Sequence, residues 1–183
     1  METNLCIAGF GGQGVMTIGK FLASATCDST DKNVTFFPSY GAEQRGGTAN
    51  CFVVISDEEI GAPLGDVMDD LIVLNDPSLQ KFLNTVKPGG NLFINSSIVS
   101  GDIERDDVNV IKAPVTEIAL VLGNSKVLNV IMLGVYVGYT EVVPPEVVWG
   151  TIEKKLGSKA KLLPLNREAF ERGLAIGREY KNN

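Results

Sequence analysis

Three glycines near the start of the chain are the first residues whose spacing could serve chemistry. Gly9, Gly11 and Gly14 fit the pattern G-x-G-x-x-G, between an apolar run at residues 5–8 and a predicted helix at residues 16–25. A strand, a glycine turn and a helix in this order are typical of a dinucleotide-binding unit. The turn predicts a backbone that can approach a ligand closely, with free N–H groups of the helix available to an anion.

A nicotinamide site would usually add an acidic residue about 20 residues further on, at the end of the second strand. The predicted second strand, residues 34–37, instead continues into Pro38, Ser39 and Tyr40. A purely structural role, in which the glycines only let helix and strand pack closely, therefore stays open beside the ligand site.

The loop at residues 38–47 is the second candidate, and its sequence is PSYGAEQRGG. It places hydroxyl, carboxylate, amide and guanidinium groups on a backbone that glycines make more flexible. Linkers rarely carry such a set, so the loop predicts contact with a ligand or a partner chain. The alternative is a surface loop with an ion pair between Glu43 and Arg45.

The composition excludes several other kinds of site. The chain has no histidine, which removes the Ser–His and Cys–His nucleophile arrangements and the usual zinc chemistry. Its three cysteines, Cys6, Cys27 and Cys51, are far apart and form no C-x-x-C motif. We therefore expect no iron–sulfur cluster held by this chain alone, and we identify no catalytic residue and no metal ligand.

The length and the net charge of the chain limit the class of protein to which it can belong. The 183 residues predict a single domain over residues 1–183, and the net charge of −6 disfavours a nucleic-acid partner. No apolar run reaches the roughly 18 residues that span a membrane, and the first residues do not resemble a secretory leader. We expect a cytoplasmic protein that binds neither nucleic acid nor a membrane.

Predicted strands alternate with predicted helices, which favours a three-layer, Rossmann-like α/β domain with a mainly parallel sheet. The short connection between the strands at residues 34–37 and 48–56 predicts one hairpin, so the sheet should be mixed. Further strands are predicted at residues 71–74, 91–95 and 108–111. We expect residues 88–90, Pro-Gly-Gly, to end the helix that starts at Pro77, and Asn166 to cap the last helix.

The segment from Lys126 to Tyr139 is apolar almost all round and is predicted to be a buried helix. Gly134 and Gly138 lie one turn apart on it, so a second backbone can come close. One side can pack on the sheet. Either the last two helices or another chain must cover the other side, and the sequence favours another chain, so we expect self-association of the isolated chain.

Two of these motifs together resemble the gamma subunit of the 2-oxoacid:ferredoxin oxidoreductases. The first is GGQGV at residues 11–15, and the second is SYGxExRGGT at residues 39–48. The similarity continues through IGAP at residues 60–63, LNxPS at residues 74–78, KPGG at residues 87–90 and NSS at residues 95–97. It covers residues 4–176.

The resemblance implies a subunit of an enzyme that oxidatively decarboxylates a 2-oxoacid to an acyl-coenzyme A and reduces ferredoxin. Thiamine diphosphate and iron–sulfur clusters would belong to alpha, beta and delta partner chains, and coenzyme A could lie at the interface. Both glycine-rich loops should then lie at one edge of the sheet and form part of the active-site wall or the coenzyme A entrance. The residues that the resemblance assigns to these loops are Gly11, Gly12, Gln13, Gly14, Ser39, Tyr40, Glu43, Arg45, Gly46 and Gly47.

The roles within these loops stay open between ligand binding and subunit contact. Arg45 could meet a phosphate or a carboxylate, Glu43 could orient Arg45, and Gln13 could bond a ligand or a neighbouring loop. The details at residues 39–41 and 48–51 are more similar to the 2-oxoglutarate and branched-chain 2-oxoacid subtypes than to the pyruvate type. The small subunit of an indolepyruvate ferredoxin oxidoreductase and a free-standing nucleotide-binding module are the alternatives.

Overall fold

A single six-stranded sheet organises the part of the chain that the computed structural model describes, residues 1–39 and 48–183. Its order is β2-β3-β1-β4-β5-β6. Within this part, β3 runs against the other five strands, so the mixed, mostly parallel sheet is confirmed. The strands are β1 Glu2–Phe10, β2 Asn33–Ser39, β3 Thr48–Ser56, β4 Met68–Val73, β5 Val86–Asn95 and β6 Asn109–Ala113.

Helices cover both faces of the sheet and complete the three layers. The larger apolar core joins one face of the sheet to α1, α4, α5 and α6, and a smaller one lies under α2 on the other face. The helices are α1 Val15–Ser29, α2 Asp76–Phe82, α3 Val115–Val121, α4 Leu128–Thr140, α5 Pro145–Leu156 and α6 Leu163–Asn182. Short 3-10 helices lie at Leu83–Thr85, Ser125–Val127 and Gly157–Leu162. No helix among the described residues is both long and apolar enough to cross a bilayer.

The register of the sheet brings the two glycine-rich connections to one edge. Phe10, the last residue of β1, lies opposite Thr48, the first residue of β3. Ser39, the last residue of β2, lies opposite Asn50. We call the edge at which β1, β2, β4, β5 and β6 end the carboxyl edge. The hairpin of β2 and β3 and the common edge are therefore confirmed.

The close contact between α4 and α6 corrects the expectation that another chain covers α4. A Cβ atom added to Gly134 would lie 2.4 Å from the carbonyl oxygen of Phe170, and one added to Gly138 would lie 2.6 Å from that of Leu174. Residues from Leu128 to Gly138 are buried almost without interruption inside this chain. The alternative of an internal cover is the correct one, and α4 offers no basis for self-association.

Two local expectations are wrong. The helix from Asp76 ends at Phe82, and Pro88, Gly89 and Gly90 lie inside β5 instead. Pairing between β4 and β5 is irregular there, and a φ of 77° at Gly89 accommodates the extra residues. Asn166 does not cap α6, because α6 begins at Leu163. The Asn166 side chain is buried within the helix and donates to the carbonyl oxygen of Leu162, at 2.8 Å.

Candidate functional site

The glycine turn between β1 and α1 is the centre of the candidate site. Gly12 and Gly14 have φ values of 92° and 82°, in the left-handed region that side chains with a Cβ rarely adopt. Gly14 is also the residue that precedes the first turn of α1. The turn therefore needs glycine at these positions to pass from the strand into the helix.

Two glycines of the pattern serve packing. A Cβ atom on Gly9 would lie 2.9 Å from the Cβ of Leu74, and one on Gly14 would lie 2.5 Å from Nδ2 of Asn129 at the start of α4. Such distances leave no room for a side chain. The structural role that the sequence left open is thus correct for Gly9 and Gly14.

The two glycines at the tip of the turn are in the opposite situation. Apart from the adjacent residues of the chain, no heavy atom of the described residues lies within 4 Å of a Cβ atom added to Gly11 or Gly12, and both glycines are exposed. Among residues 1–39 and 48–183, neither packing nor contact with a neighbouring helix explains a glycine at Gly11. This tip is free backbone at the carboxyl edge, which a ligand or another chain can approach closely.

Gln13 fills the crevice behind this tip. Since α1 and α2 cover opposite faces, the gap between the ends of β1 and β4 is the switch point where α/β proteins usually bind their ligands. Here Oε1 of Gln13 accepts a hydrogen bond from the backbone N–H of Phe10 at 2.7 Å, and Nε2 donates to the carbonyl oxygen of Leu74 at 3.1 Å. In the structure the Gln13 amide thus bonds to Phe10 and Leu74, and contact of Gln13 with a ligand stays a prediction.

The second loop is described at its two ends. Ser39 is half-buried at the end of β2, and Thr48 begins β3. Tyr40, Glu43, Arg45, Gly46 and Gly47 lie outside the described residues, so their roles stay predictions.

Exposed aromatic side chains accompany both connections on the same face of the sheet. Phe10 is 42% exposed and Phe37 is 43% exposed. Phe37 lies opposite Phe52 in the hairpin, and Phe52 packs against Phe82 with ring centroids 6.5 Å apart. The carboxyl edge thus combines bare backbone with apolar side chains, a surface suited to a protein or to an uncharged part of a ligand.

Two buried asparagines hold the other connections at this edge. Oδ1 of Asn75 accepts the backbone N–H of Ser78 at 2.9 Å and caps α2. Nδ2 of Asn95 donates to Oγ1 of Thr116 at 2.9 Å, which ties the end of β5 to α3. Both asparagines are fully buried. They belong to the LNxPS and NSS motifs, whose structural purpose the sequence did not reveal.

The buried cysteines are poor nucleophiles. Burial raises the pKa of Cys51 to about 12 and raises the pKa of Cys6 still further. The Cys51 thiol also donates to the carbonyl oxygen of Val15, with sulfur and oxygen 3.6 Å apart. Both thiols are therefore protonated at neutral pH and act as small apolar groups in the core.

Comparison with known proteins gives one family. Residues 4–176 match the family model described as pyruvate ferredoxin/flavodoxin oxidoreductase. The ketoisovalerate oxidoreductase subunit VorA of Methanothermobacter thermautotrophicus is 38% identical over 97% of this chain. The 2-oxoglutarate synthase subunit KorC of Methanocaldococcus jannaschii is 32% identical over 98% of this chain and 96% of its own length.

The fold agrees with this match. The gamma subunit of a keto/oxoacid ferredoxin oxidoreductase from Geobacter sulfurreducens superposes with a TM-score of 0.88 at 25% identity, over 98% of both chains. The chain spans 37% of the length of VorA, so that relative contains this unit as part of a longer protein. The match over almost the whole chain, in sequence and in fold, shows that the chain belongs to the pyruvate ferredoxin/flavodoxin oxidoreductase family.

Proposed function

We propose that the chain is the gamma-type subunit of a 2-oxoacid:ferredoxin oxidoreductase that acts on 2-oxoglutarate or a branched-chain 2-oxoacid. The observation that carries this proposal is the exposed tip of the glycine turn, Gly11 and Gly12, at the carboxyl edge. Its backbone is bare, whereas Gln13 closes the crevice behind it. Such a surface suits the wall of a site that another chain completes.

Catalytic cofactors belong to partner chains in this proposal. When bound to those chains, thiamine diphosphate would supply the chemistry that activates the keto carbon, and iron–sulfur clusters would supply electron transfer to ferredoxin. Alpha, beta and delta chains hold these groups, and coenzyme A enters where they meet this subunit. The buried, protonated thiols of Cys6 and Cys51 support this division, because a cluster needs accessible thiolates.

The second loop contributes charge to the same wall. Arg45 binds a phosphate or carboxylate group there, and Glu43 orients Arg45. We expect Arg45→Ala to lower turnover of the assembled complex strongly while folding is little changed, because one charged hydrogen bond contributes about 1.5–3 kcal/mol. Wild-type turnover and an unaltered dependence on coenzyme A would show that this side chain has no part in the site.

A free-standing nucleotide-binding module is the weaker alternative. The Gln13 amide occupies the switch point, and the chain ends β2 with Ser39 where a nicotinamide site would usually carry an acid. The named relatives VorA and KorC favour the 2-oxoacid enzymes over the indolepyruvate enzyme. Titration of the isolated chain with NADH should therefore show no binding.

Reconstitution tests the function directly. The chain is expressed with its partner chains, and ferredoxin reduction is followed with 2-oxoglutarate, 2-oxoisovalerate or pyruvate in the presence and absence of coenzyme A. We expect turnover that requires both this chain and coenzyme A, while the chain alone is colourless and inactive. Full activity without the chain, or stoichiometric iron–sulfur absorbance of the chain alone, would contradict the proposal.

A further inference from the structure

A cavity of about 520 Å³ opens at the sheet edge opposite the carboxyl edge. It lies where β4 and β5 begin and where α4 ends, and a volume of this size holds a small organic molecule. Its lining includes no residue of the glycine turn. We call it the amino-edge cavity. It is separate from the surface on which the proposed function rests.

The walls of the amino-edge cavity carry charges of both signs, and Met1, whose α-amino group pairs with Asp57, also lines them. The charged side chains that line it are Lys32, Lys87, Lys181, Asp69, Asp70 and Glu141. Nζ of Lys181 lies 2.5 Å from Oε2 of Glu141, and Lys87 pairs with Asp69. Both pairs are partly exposed, so each contributes little to stability and can exchange its partner for a ligand at small cost.

Asp70 is the exception among these groups, because it is buried and only 3% exposed. Its carboxylate accepts hydrogen bonds from Nδ2 of Asn91 at 2.7 Å and from the hydroxyl of Tyr136 at 2.9 Å. Both donors are neutral. They fix the carboxylate in position, and Lys87 favours its charged form only in part, because burial still raises the pKa of Asp70. A further cation in the cavity would stabilise this carboxylate.

The end of α4 adds negative potential on the same side. Glu141 ends the helix with φ 49° and ψ 26°, the left-handed conformation that a glycine usually supplies there. The carbonyl end of a helix favours a cation. A non-glycine residue in this conformation also places a side chain at the cavity mouth, where its carboxylate meets Lys181.

We propose that the amino-edge cavity binds a small zwitterion, an α-amino acid. The ammonium group lies toward Asp70 and the end of α4, and the carboxylate lies toward Lys87 and Lys181. A ligand with a single charge can pair with wall charges of one sign only, whereas a zwitterion can pair with both signs. Tyr139 and Val142 in the lining receive the side chain.

The regulatory meaning of this site rests on the proposed function. An α-amino acid carries an amino group where the corresponding 2-oxoacid carries its oxo group. Binding at the amino-edge cavity would thus let the amino counterpart of the substrate act on the complex from a surface away from the carboxyl edge.

Equilibrium dialysis of the full chain tests the binding. Labelled L-valine, L-glutamate and L-alanine are compared at millimolar concentration with isobutylamine and isobutyrate, which carry one charge each. We expect at least one amino acid to bind and neither single-charge analogue to bind. Absence of binding by all three amino acids, or equal binding of isobutylamine or isobutyrate, would overturn the proposal.

Surface variants locate the site. Lys181→Met and Lys87→Met should each weaken binding of the amino acid by about tenfold, the loss of one charge-assisted hydrogen bond. Lys155→Met, an exposed lysine of α5 outside the cavity, is the matched control and should bind as the wild type does. Unchanged binding by both cavity variants would also overturn the proposal. Dialysis needs no turnover, so its result is independent of the reconstitution that tests the enzyme.

Discussion

Glycines in two regions of this chain have opposite surroundings. Where α4 crosses α6, a Cβ on Gly173 would lie 2.0 Å from the carbonyl oxygen of Ile131, and one on Gly177 would lie 2.2 Å from that of Val135. At the tip of the turn after β1, the same atom on Gly11 or Gly12 would meet no described residue within 4 Å other than its chain neighbours. Contacts inside the chain explain why residues 173 and 177 are glycines. At Gly11 no contact within the described residues requires a glycine.

The comparison teaches how a glycine motif should be interpreted. A glycine leaves space that another group can occupy. Between α4 and α6, the backbone of the neighbouring helix occupies that space. At the exposed tip no described residue beyond the chain neighbours occupies this space, which leaves it open to a ligand or a partner. The pattern G-x-G-x-x-G contains both kinds, since Gly9 and Gly14 belong to packing and Gly11 to the surface.

The largest effect is expected in the helix pair. Gly173→Ala should lower the free energy of unfolding by about 3 kcal/mol, because α4 and α6 must separate to admit the methyl group. Gly150→Ala is the matched control in an exposed part of α5, with no atom near the added Cβ. That variant should gain up to about 1 kcal/mol from helix propensity. Urea unfolding of both variants measures the difference, and a stabilised Gly173→Ala would contradict the close contact.

A hydrogen bond buried under α4 should give the next largest effect. Tyr136→Phe removes the donor to Asp70 and should cost about 1.5–3 kcal/mol at neutral pH, the usual value for a hydrogen bond to a charged group. Tyr139→Phe, which retains the ring that packs on Phe93, is the control and should change stability little. Equal losses in both variants would mean that the hydroxyl of Tyr136 has no special role.

The hydrogen-bonded pair of Asp70 and Tyr136 also predicts how the stability of the fold changes with pH. Burial raises the pKa of Asp70 above its ordinary value, although the hydrogen bonds from Asn91 and Tyr136 oppose the shift. The folded state therefore holds this proton more tightly than the unfolded state. Its contribution to stability is present at low pH and is lost as pH rises through the folded pKa. Tyr136→Phe raises that pKa further, so its deficit should be larger at pH 7 than at pH 4 in urea unfolding.

A smaller effect is expected behind the turn. Gln13→Ala removes the two hydrogen bonds that join Phe10 and Leu74 through the crevice, and it should lower the free energy of unfolding by about 1–2 kcal/mol. If the amide instead serves a ligand, stability stays at the wild-type value and only turnover of the complex falls. Thermal unfolding of the isolated chain separates the two outcomes.

Local patterns were sufficient to predict much of the fold. β3 begins and ends at the predicted residues, Thr48 and Ser56, because its apolar second half and the short connection before it are local signals. The predicted helix at residues 16–25 is also confirmed, as part of α1, with Ile18 buried. The end of α2 was predicted wrongly because Pro-Gly-Gly at residues 88–90 suits an irregular strand as well as a helix stop.

The site was less predictable because its contacts join distant parts of the sequence. Asp70 and Tyr136 are 66 residues apart, and Gln13 and Leu74 are 61 residues apart. No spacing rule connects such pairs before the strand order is known. The sequence did identify the turn, but whether Gly14 packs against another element depends on where α4 begins.

The most direct test of this account is Gly11→Val in the reconstituted complex, compared with Gly150→Val as an equally exposed control. Because no described residue beyond the chain neighbours lies within 4 Å of the added Cβ atom, the free energy of unfolding of the Gly11→Val chain should stay within about 0.5 kcal/mol of the wild type. Ferredoxin reduction dependent on coenzyme A, or co-purification with the partner chains, should fall by at least about tenfold, as expected when a close contact worth about 1.4 kcal/mol is lost. Wild-type assembly and turnover in the Gly11→Val complex would contradict the claim that this bare backbone meets a ligand or partner.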